Sequence, residues 1–370
     1  MSQSVCIPPG SCIGILGAGQ LGKMTALAAA RLGYRTVIWS PPGDTPAMDV
    51  AAYPIKAPYE DPDAFDMFTR LANVATLEFE NIPVPLVEQI AKVIPMRPGA
   101  EVLRIMQDRF EEKKLFLNLQ IPFAGTVGIN DAHDALNYRA SFPEIFSGCA
   151  SFPAVLKTRR MGYDGRGQRI VPDVGVLHEA FLALGSVPCV LETQVDLACE
   201  ISVIVARNFD GDMKFYPVVQ NTHKNSILSE TRWPATSIDE RIEKEAIDIA
   251  LLIADELDVV GLLAVEMFVT KDGQVLANEL APRPHNSGHG TIDACVTSQF
   301  EQHVRAVCNL PLGDPTPHSA WVMSNLLGDE ANKWEHLLRD PKAKLHLYGK
   351  RERRPGRKMG HVTVLSSIPK

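Results

Sequence analysis

Two carboxylates stand where a bound cation would be needed to hold them together. Residues 263–270 and 274–280 are runs of strand character joined by Lys271-Asp272-Gly273-Gln274. Asp-Gly between two such runs is a strong hairpin signal, and a two-residue turn fixes the register of everything beyond it. With Lys271 opposite Gln274, Glu266 falls directly across from Glu279. Like charges opposed on one sheet face destabilise the pairing, so the pair points to a cation between them. Asn278 adds an oxygen donor beside the pair. That is the hard-oxygen set Mg2+ takes alongside substrate phosphates, with Mn2+ a second candidate. The alternatives are side chains that splay into solvent and a turn that slips by one residue.

Two glycine segments could hold phosphates. Gly17-Ala18-Gly19-Gln20-Leu21-Gly22 follows a strand-like run and opens a helix, the setting of a dinucleotide-binding turn. The acid that would hold a ribose is missing: the next strand ends Trp39-Ser40-Pro41-Pro42, and the nearest acid is Asp44. Gly17 to Lys23 also begins like a phosphate loop, but Met24 stands where Ser or Thr would ligate Mg2+. What remains is an anion-holding corner at a helix N-terminus, or a tight turn with no ligand. The second segment, residues 157–168, reads KTRRMGYDGRGQ between two strand-like runs. Its glycines give a hairpin loop whose amides can fold over phosphates, with three Arg and one Lys as countercharge. A solvated basic hairpin is the other reading.

A third cluster, Lys350, Arg351, Arg353, Arg354, Arg357 and Lys358, is interrupted by Pro355-Gly356. The turn this forces keeps the charges off one helix face. It places Arg357 and Lys358 at a tip, with Lys350 reaching from the preceding strand, which suits a single phosphate. A solvated face and a nucleic-acid patch compete with this, and a net charge of −7 opposes the last.

The elements that must position these groups alternate strand and helix at first. A strand over 12–16, a helix over 23–32 and a strand over 35–39 begin a parallel sheet. A strand over 74–79 follows, and Pro83 and Pro85 open a helix. Residues 100–119 read as one charged helix, with a domain boundary near 100–108. Strands are expected over 154–157, 168–170, 189–193, 201–206 and 215–217. The clearest helix covers 238–257, with Ser237 and Glu240 as a capping box. Pro311, Pro315 and Pro317 mark a linker into a short last domain.

Composition narrows the class. The chain has 370 residues, 45% hydrophobic and 22% charged, enough for two or three globular domains and unlike a disordered or disulfide-stapled chain. No apolar run reaches the roughly 20 residues of a membrane span, and the N-terminus lacks the pattern of a signal peptide. Seven cysteines without a CxxC pair fit reduced thiols and no structural zinc. A cytoplasmic enzyme of metabolite chemistry is expected.

Taken in order, Lys157, GYDGRGQ (162–168), Glu192-Thr193-Gln194-Val195, Glu200, the Glu266/Glu279 pair and APRPHNSGHGT (281–291) resemble the ATP-grasp superfamily. With PGRKMGH (355–361), the chain resembles the N5-carboxyaminoimidazole ribonucleotide synthetases within it, from about residue 13 to 364. The resemblance implies an α/β and α+β ATP-grasp fold in three parts. These are a Rossmann-like N-terminal domain over 1–108, an ATP-grasp domain of two α+β lobes over 109–310, and a small C-terminal domain over 311–370, shorter than in relatives. It implies a carbon–nitrogen ligase of purine synthesis that uses ATP and bicarbonate, through carboxyphosphate, to carboxylate 5-aminoimidazole ribonucleotide. The expected assembly is a cytoplasmic homodimer with small-molecule partners, no nucleic acid and no membrane. Formate-dependent glycinamide ribonucleotide transformylases share PRPH and the motif order, but YDGR and Asn286-Ser287-Gly288-His289 favour the carboxylase. A nucleotide-binding regulator without chemistry would seldom need two opposed carboxylates.

The same resemblance assigns roles. Arg109, Lys157 and the loop Gly162, Tyr163, Asp164, Gly165, Arg166, Gly167 and Gln168 contact ATP phosphates. Glu192, Thr193, Gln194 and Val195 lie along the adenine, Glu200 holds the ribose hydroxyls, and His223 lies near the nucleotide. Glu266 and Glu279 ligate the metal, with Asn278 beside them. Gln20, Leu21 and Glu78 meet the ribonucleotide, Glu78 through its ribose; Tyr163, Asp164 and Arg166 line its ring, and Lys350, Arg357 and Lys358 take its phosphate. Asp164 orients the attacking amine. Arg283, His285 and Asn286 sit where bicarbonate and ribonucleotide converge. Met161 stands where relatives commonly carry Gly or another small residue, and is expected to stiffen the loop hinge.

Overall fold

The computed structural model describes residues 6–138, 150–162 and 165–369. Tyr53–Lys56, Arg35–Ser40, Cys12–Leu16 and Val74–Leu77 form a parallel sheet in that order. Every residue of Cys12–Leu16 and Val74–Leu77 is buried, as parallel strands covered on both faces require. The last of these ends at Leu77, short of the expected 79. The first helix is Gln20–Arg31 rather than 23–32, because Gly19 already serves as its N-cap. Val84–Ala91 starts after Pro83 and carries a proline in its first turn, where the missing amide costs no hydrogen bond.

The single helix expected over 100–119 is two, Ala100–Met106 and Arg109–Asn118. Asp108 accepts the Phe110 amide at 3.0 Å and so caps a new helix instead of continuing the old one. Next comes an antiparallel sheet in the order Thr126–Ile129, Cys189–Thr193, Ala154–Thr158, Gln168–Val171. Lys157 pairs with Gln168, so the second glycine segment is a hairpin loop.

The third sheet has nine strands. Its path runs Val275–Ala281, Gly261–Thr270, Leu197–Arg207, Val219–Lys224, Ile227–Trp233, Ala320–Leu327, Lys358–Ser366, Ala343–Leu347. Met213–Phe215, displaced from the expected 215–217, pairs with Leu197–Arg207. Helix Glu240–Glu256 covers this sheet, burying Ile242, Ala246, Ile249 and Ile253 in one cluster with Val203, Val205 and Val265. Each fully buried Ile contributes roughly 1.5–3 kcal/mol. The cap is Asp239, which accepts the Ile242 amide at 2.8 Å, not Ser237: Asp239 directly precedes the first helical residue, where an acceptor reaches the third amide.

Helix Gln299–Val307 ties the first sheet to the third. Its Phe300, Val304 and Val307 share a core with Ile13 and Ile15, and His303 Nε2 lies 3.0 Å from Thr76 Oγ1. Among the described residues the cysteines are free thiols, buried except Cys6, and no helix is long and apolar enough to cross a membrane.

Candidate active site

The hairpin brings Glu266 opposite Glu279 by a route the turn residues alone do not reveal. Gly273 N donates to Thr270 O at 2.9 Å and Thr270 N to Gln274 O at 3.0 Å, so the loop has three residues, not two. Gly273 supplies the positive φ of +80° that such a loop needs. Near the turn the pairs are therefore shifted by one: Val269 with Val275, Met267 with Ala277. A bulge beyond Met267 then inserts Asn278 and restores Glu266 to Glu279. The Asn278 carbonyl accepts from the buried Lys113 ammonium at 2.6 Å.

Each carboxylate of the pair has its own partner. His285 Nε2 lies 3.0 Å from Glu266 Oε1, and Arg109 Nη1 donates to Glu279 Oε2 at 3.0 Å. Burial by itself raises the Glu266 carboxyl, but His285, with His223 and Lys358 farther off, brings it down to about 2. Glu266 is thus poised as an anion. Helix Arg109–Asn118 adds two residues that the sequence reading missed. Glu112 accepts the Leu280 amide at 2.9 Å, and burial, then Glu279, pushes its carboxyl up. Lys113, whose pKa burial lowers, lies 3.4 Å from Glu192. Residues 111–114, Glu-Glu-Lys-Lys, fall within the stretch expected as one charged helix. The available signal was helical spacing, since Glu112 and Lys113 stand four and three residues before the buried Phe116 and so share its side.

On the nucleotide side, Lys157 pairs with Glu192 at 2.5 Å. Burial raises the Glu192 carboxyl, yet Lys113 and Lys157 together hold it at about 2. Thr193 N donates to Gly125 O at 2.8 Å and Gln194 N to Pro153 O at 3.0 Å, which anchors the segment that runs on through Val195. His223 Nδ1 lies 2.5 Å from Glu200; burial lowers its pKa, but Glu200 raises it further. At the base of the glycine loop, Asp108 grips the Arg159 guanidinium with two bonds of 2.8 Å. Arg109 Nη2 donates to Gly162 O at 3.5 Å, and Gln168 Nε2 to Ser226 Oγ at 2.8 Å. Gly165 and Gly167 take φ of +79° and +72°, and Met161 takes +62° with its side chain exposed. Arg166 is exposed; Tyr163 and Asp164, to which roles were assigned, lie outside the described residues.

The first glycine segment holds an anion of the protein's own. Glu78 Oε2 accepts the Gly22 amide at 2.8 Å and Oε1 that of Gly19. A Cβ at Gly17 would lie 2.5 Å from Glu78 Cγ, and one at Gly19 would lie 2.8 Å from its Oε1. The glycine spacing is thus explained by the approach of this carboxylate to a helix N-terminus. Burial raises the Glu78 pKa against those two amides. Gln20 is partly exposed, whereas the Leu21 side chain is in the core. Arg283 Nε donates to Glu80 at 2.5 Å, so the segment after the metal-pair strand is tied to the first sheet's edge. Asn286 Oδ1 lies 3.1 Å from His289 Nε2.

The basic cluster is not arranged as its turn suggested. Lys358 opens strand Lys358–Ser366 and is buried, because strand pairing with Leu327 draws it into the sheet. Lys350 Nζ donates to the Lys358 carbonyl at 2.8 Å, and burial, with Arg357 and Lys358 near, lowers its pKa to about 8. Arg357 pairs with Asp44 at 3.1 Å. Only Arg357 of the three lies at the turn.

Three family models match the chain. They are a ribonucleotide synthetase preATP-grasp domain over 11–107, an ATP-grasp domain over 115–300, and a phosphoribosylaminoimidazole carboxylase C-terminal domain over 322–368. The N5-carboxyaminoimidazole ribonucleotide synthase of Bacillus subtilis is 42% identical over 99% of this chain and 94% of its own length. The bifunctional purine synthesis protein purC/E of Dictyostelium discoideum is 44% identical over 98% of this chain, which spans 38% of that longer protein. A crystal structure of an N5-carboxyaminoimidazole ribonucleotide synthetase in complex with ADP superposes with a TM-score of 0.92 at 41% identity, covering 99% of this chain and 95% of that one. Matched along nearly its whole length in sequence and in fold, the chain belongs to the N5-carboxyaminoimidazole ribonucleotide synthases, ATP-dependent ligases of the ATP-grasp superfamily.

Proposed function

We propose that this chain activates bicarbonate with ATP as carboxyphosphate and passes the carboxyl group to the amine of 5-aminoimidazole ribonucleotide. A bicarbonate oxygen takes the γ-phosphoryl group and ADP leaves. The amine then attacks the carboxyl carbon and phosphate leaves. The observation that carries the reading is the opposed Glu266/Glu279 pair, set between the Lys157–Glu192–Lys113 cluster and the Arg283–His285 segment.

The donor set suits Mg2+: two facing carboxylates, one of them held ionised down to about 2, are hard oxygen ligands. Glu266 and Glu279 would hold the ion, which when bound neutralises phosphate charge during transfer. Arg109 and Lys157 bind ATP phosphates together with the loop 162–168. Residues 192–195 border the adenine, and Glu200 with His223 borders the ribose. Glu78, with two of its roughly four lone-pair positions taken by amides, keeps acceptors for ribose hydroxyls. Arg283, fixed by Glu80, and His285 and Asn286 orient bicarbonate. Lys350, Arg357 and Lys358 gather cations whose mutual repulsion a ribonucleotide phosphate relieves. Asp164 is assigned to the amine on its place in the sequence. The working units are 1–108, 109–310 and 311–370, assembled as a homodimer in the cytoplasm.

The test is isotopic. With 18O-labelled bicarbonate, label should appear in the released phosphate, and ADP release should require bicarbonate and ribonucleotide together. Unlabelled phosphate would overturn the carboxyphosphate route. ADP formation indifferent to the ribonucleotide would overturn the substrate.

A further inference from the structure

We infer that Ser287, Ser202, Asn221 and Thr231 are positioning residues that fix which ring nitrogen of His285 carries its proton, and that they make His285 a hydrogen-bond donor at the metal pair. The inference deepens the proposed carboxylation and rests on it for its kinetic consequence.

A buried chain of side chains crosses three neighbouring strands of the nine-stranded sheet to reach this ring. Thr231 Oγ1 donates to Asn221 Oδ1 at 2.8 Å, and the two are register partners. Asn221 Nδ2 donates to Ser202 Oγ at 3.0 Å. Ser202 Oγ donates to Ser287 Oγ at 2.8 Å, which lies 2.8 Å from His285 Nδ1. Ser202 also lies directly across from Glu266, so Glu279, Glu266 and Ser202 form one row across three strands. Thr231, Ser202 and Ser287 are fully buried, with Asn221 at 5% and His285 at 8% exposure. No bulk water competes for these bonds.

The direction of the chain is set at its end. An imidazole nitrogen either donates or accepts, and the hydrogen bond on one nitrogen decides the state of the other. The Ser287 backbone amide also approaches His285 Nδ1, at 3.4 Å, and an amide N–H can only donate. Nδ1 is therefore the acceptor, and the single Ser287 hydroxyl proton points to it. Ser287 must then receive from Ser202, Ser202 from the Asn221 amide nitrogen, and Asn221 oxygen from Thr231. The opposite side of the ring agrees. His285 Nε2 faces the Glu266 carboxylate at 3.0 Å, and a carboxylate oxygen there is the acceptor for a ring N–H. His285 is held as the Nε2–H tautomer from both sides.

The consequence is a division of labour. A ring whose Nδ1 is filled by a serine proton and whose Nε2 proton faces an anion does not serve as a base. It offers a fixed donor, and through Glu266 it orients one of the two carboxylates assigned to the metal. No serine of the relay needs to touch a substrate for this.

15N NMR of the native chain labelled at histidine, with His285→Asn used only to assign the signal, reads the tautomer directly. The expected result is a pyridine-like Nδ1 and a pyrrole-like Nε2 for His285. A pyrrole-like Nδ1 would overturn the inference, whatever the enzyme's activity. Ser287→Ala and Ser202→Ala should each admit the other tautomer and lower kcat about two- to tenfold, the worth of one buried hydrogen bond. The KM for ATP should stay within about twofold. Ser202→Thr, which keeps the hydroxyl, should retain native kcat. Native kcat in both alanine variants would also overturn the relay. If instead the native chain releases no ADP with all three substrates, the proposed reaction fails while the tautomer measurement still stands.

Discussion

Glu266 and Glu279 face each other across the hairpin, each with a partner of its own: His285 holds the first at 3.0 Å and Arg109 the second at 3.0 Å. A divalent ion would bind between two carboxylates already held in place. Magnesium should therefore raise the melting temperature of the native chain, and raise that of Glu266→Gln or Glu279→Gln much less. Each variant should lose at least a hundredfold in turnover while keeping its circular dichroism spectrum. Equal stabilisation of all three proteins in a thermal scan would remove the metal from the pair.

Glu78 completes the start of helix Gln20–Arg31 by accepting the amides of Gly19 and Gly22. A glutamine there has one acceptor and one donor, so Glu78→Gln sets an amide N–H against a backbone N–H. The expected loss is about 1–3 kcal/mol, that of a buried donor left unsatisfied, read by urea denaturation. A variant as stable as the native chain would mean that the carboxylate is not what the glycines accommodate.

Met161 holds a left-handed φ of +62° with an exposed side chain. Such a backbone costs a non-glycine residue roughly 1–2 kcal/mol, and the residue is 69% exposed. Glycine removes that strain but costs roughly 0.5–1 kcal/mol in the unfolded chain. Met161→Gly should therefore be neutral to about 1 kcal/mol stabilising. A loss beyond about 0.5 kcal/mol in denaturant unfolding would show that the methionine supports the loop.

His303 is buried with Thr76 at its Nε2, and burial holds its pKa down near 3, against 6.5 when free. Below pH 6.5 the unfolded chain takes a proton that the folded chain refuses. The stabilisation is present above that pH and is lost as pH falls toward 3, by up to about 1.4 kcal/mol per unit. Burial likewise keeps His289 and His361 neutral, and they act in the same direction. His303→Gln should flatten the fall of melting temperature between pH 6.5 and 5. An unchanged slope would place the acid sensitivity elsewhere.

Arg357 is held by Asp44 at 3.1 Å and donates to the Glu352 carbonyl at 2.9 Å. That arrangement presents its guanidinium beside Lys350. Arg357→Ala should raise the KM for the ribonucleotide about tenfold to a hundredfold, the worth of a charge-assisted contact, and leave the KM for ATP within about twofold. Equal effects on both would make the cluster a general electrostatic field.

What was legible in the sequence divides along physical lines. Buried parallel strands such as Cys12–Leu16 were plain because both faces must be apolar. The Glu266/Glu279 pairing was reached through two offsetting departures: the Asp-Gly loop has one residue more than expected, and the bulge at Asn278 returns the register. Bulges answer to tertiary demands, here Lys113 reaching the Asn278 carbonyl, and leave no local mark. The break at Asp108 and the cap at Asp239 were both one-residue decisions among several competent polar side chains. Glu112 and Lys113 were hidden because a charged run has the same composition on a wet face as in a dry site. Glu78 shows the converse. A motif shaped for an anion was visible, but that the anion belongs to the protein depends on a strand some 60 residues away, as the 59-residue separation from Gly19 indicates.

Ile227–Trp233 pairs with Ala320–Leu327, so the cations at the end of the chain are carried by the same sheet as the metal pair. Trp233 and Trp321 are register partners whose rings stack at 5.2 Å. This seam is a constraint on recombination. A chimera that exchanges the segment after residue 310 with that of a relative inherits half of a strand pair and half of an aromatic stack, not a detachable module. Such exchanges should succeed only where both partners keep that register, and the two sides of the seam should vary together among descendants of one ancestral gene.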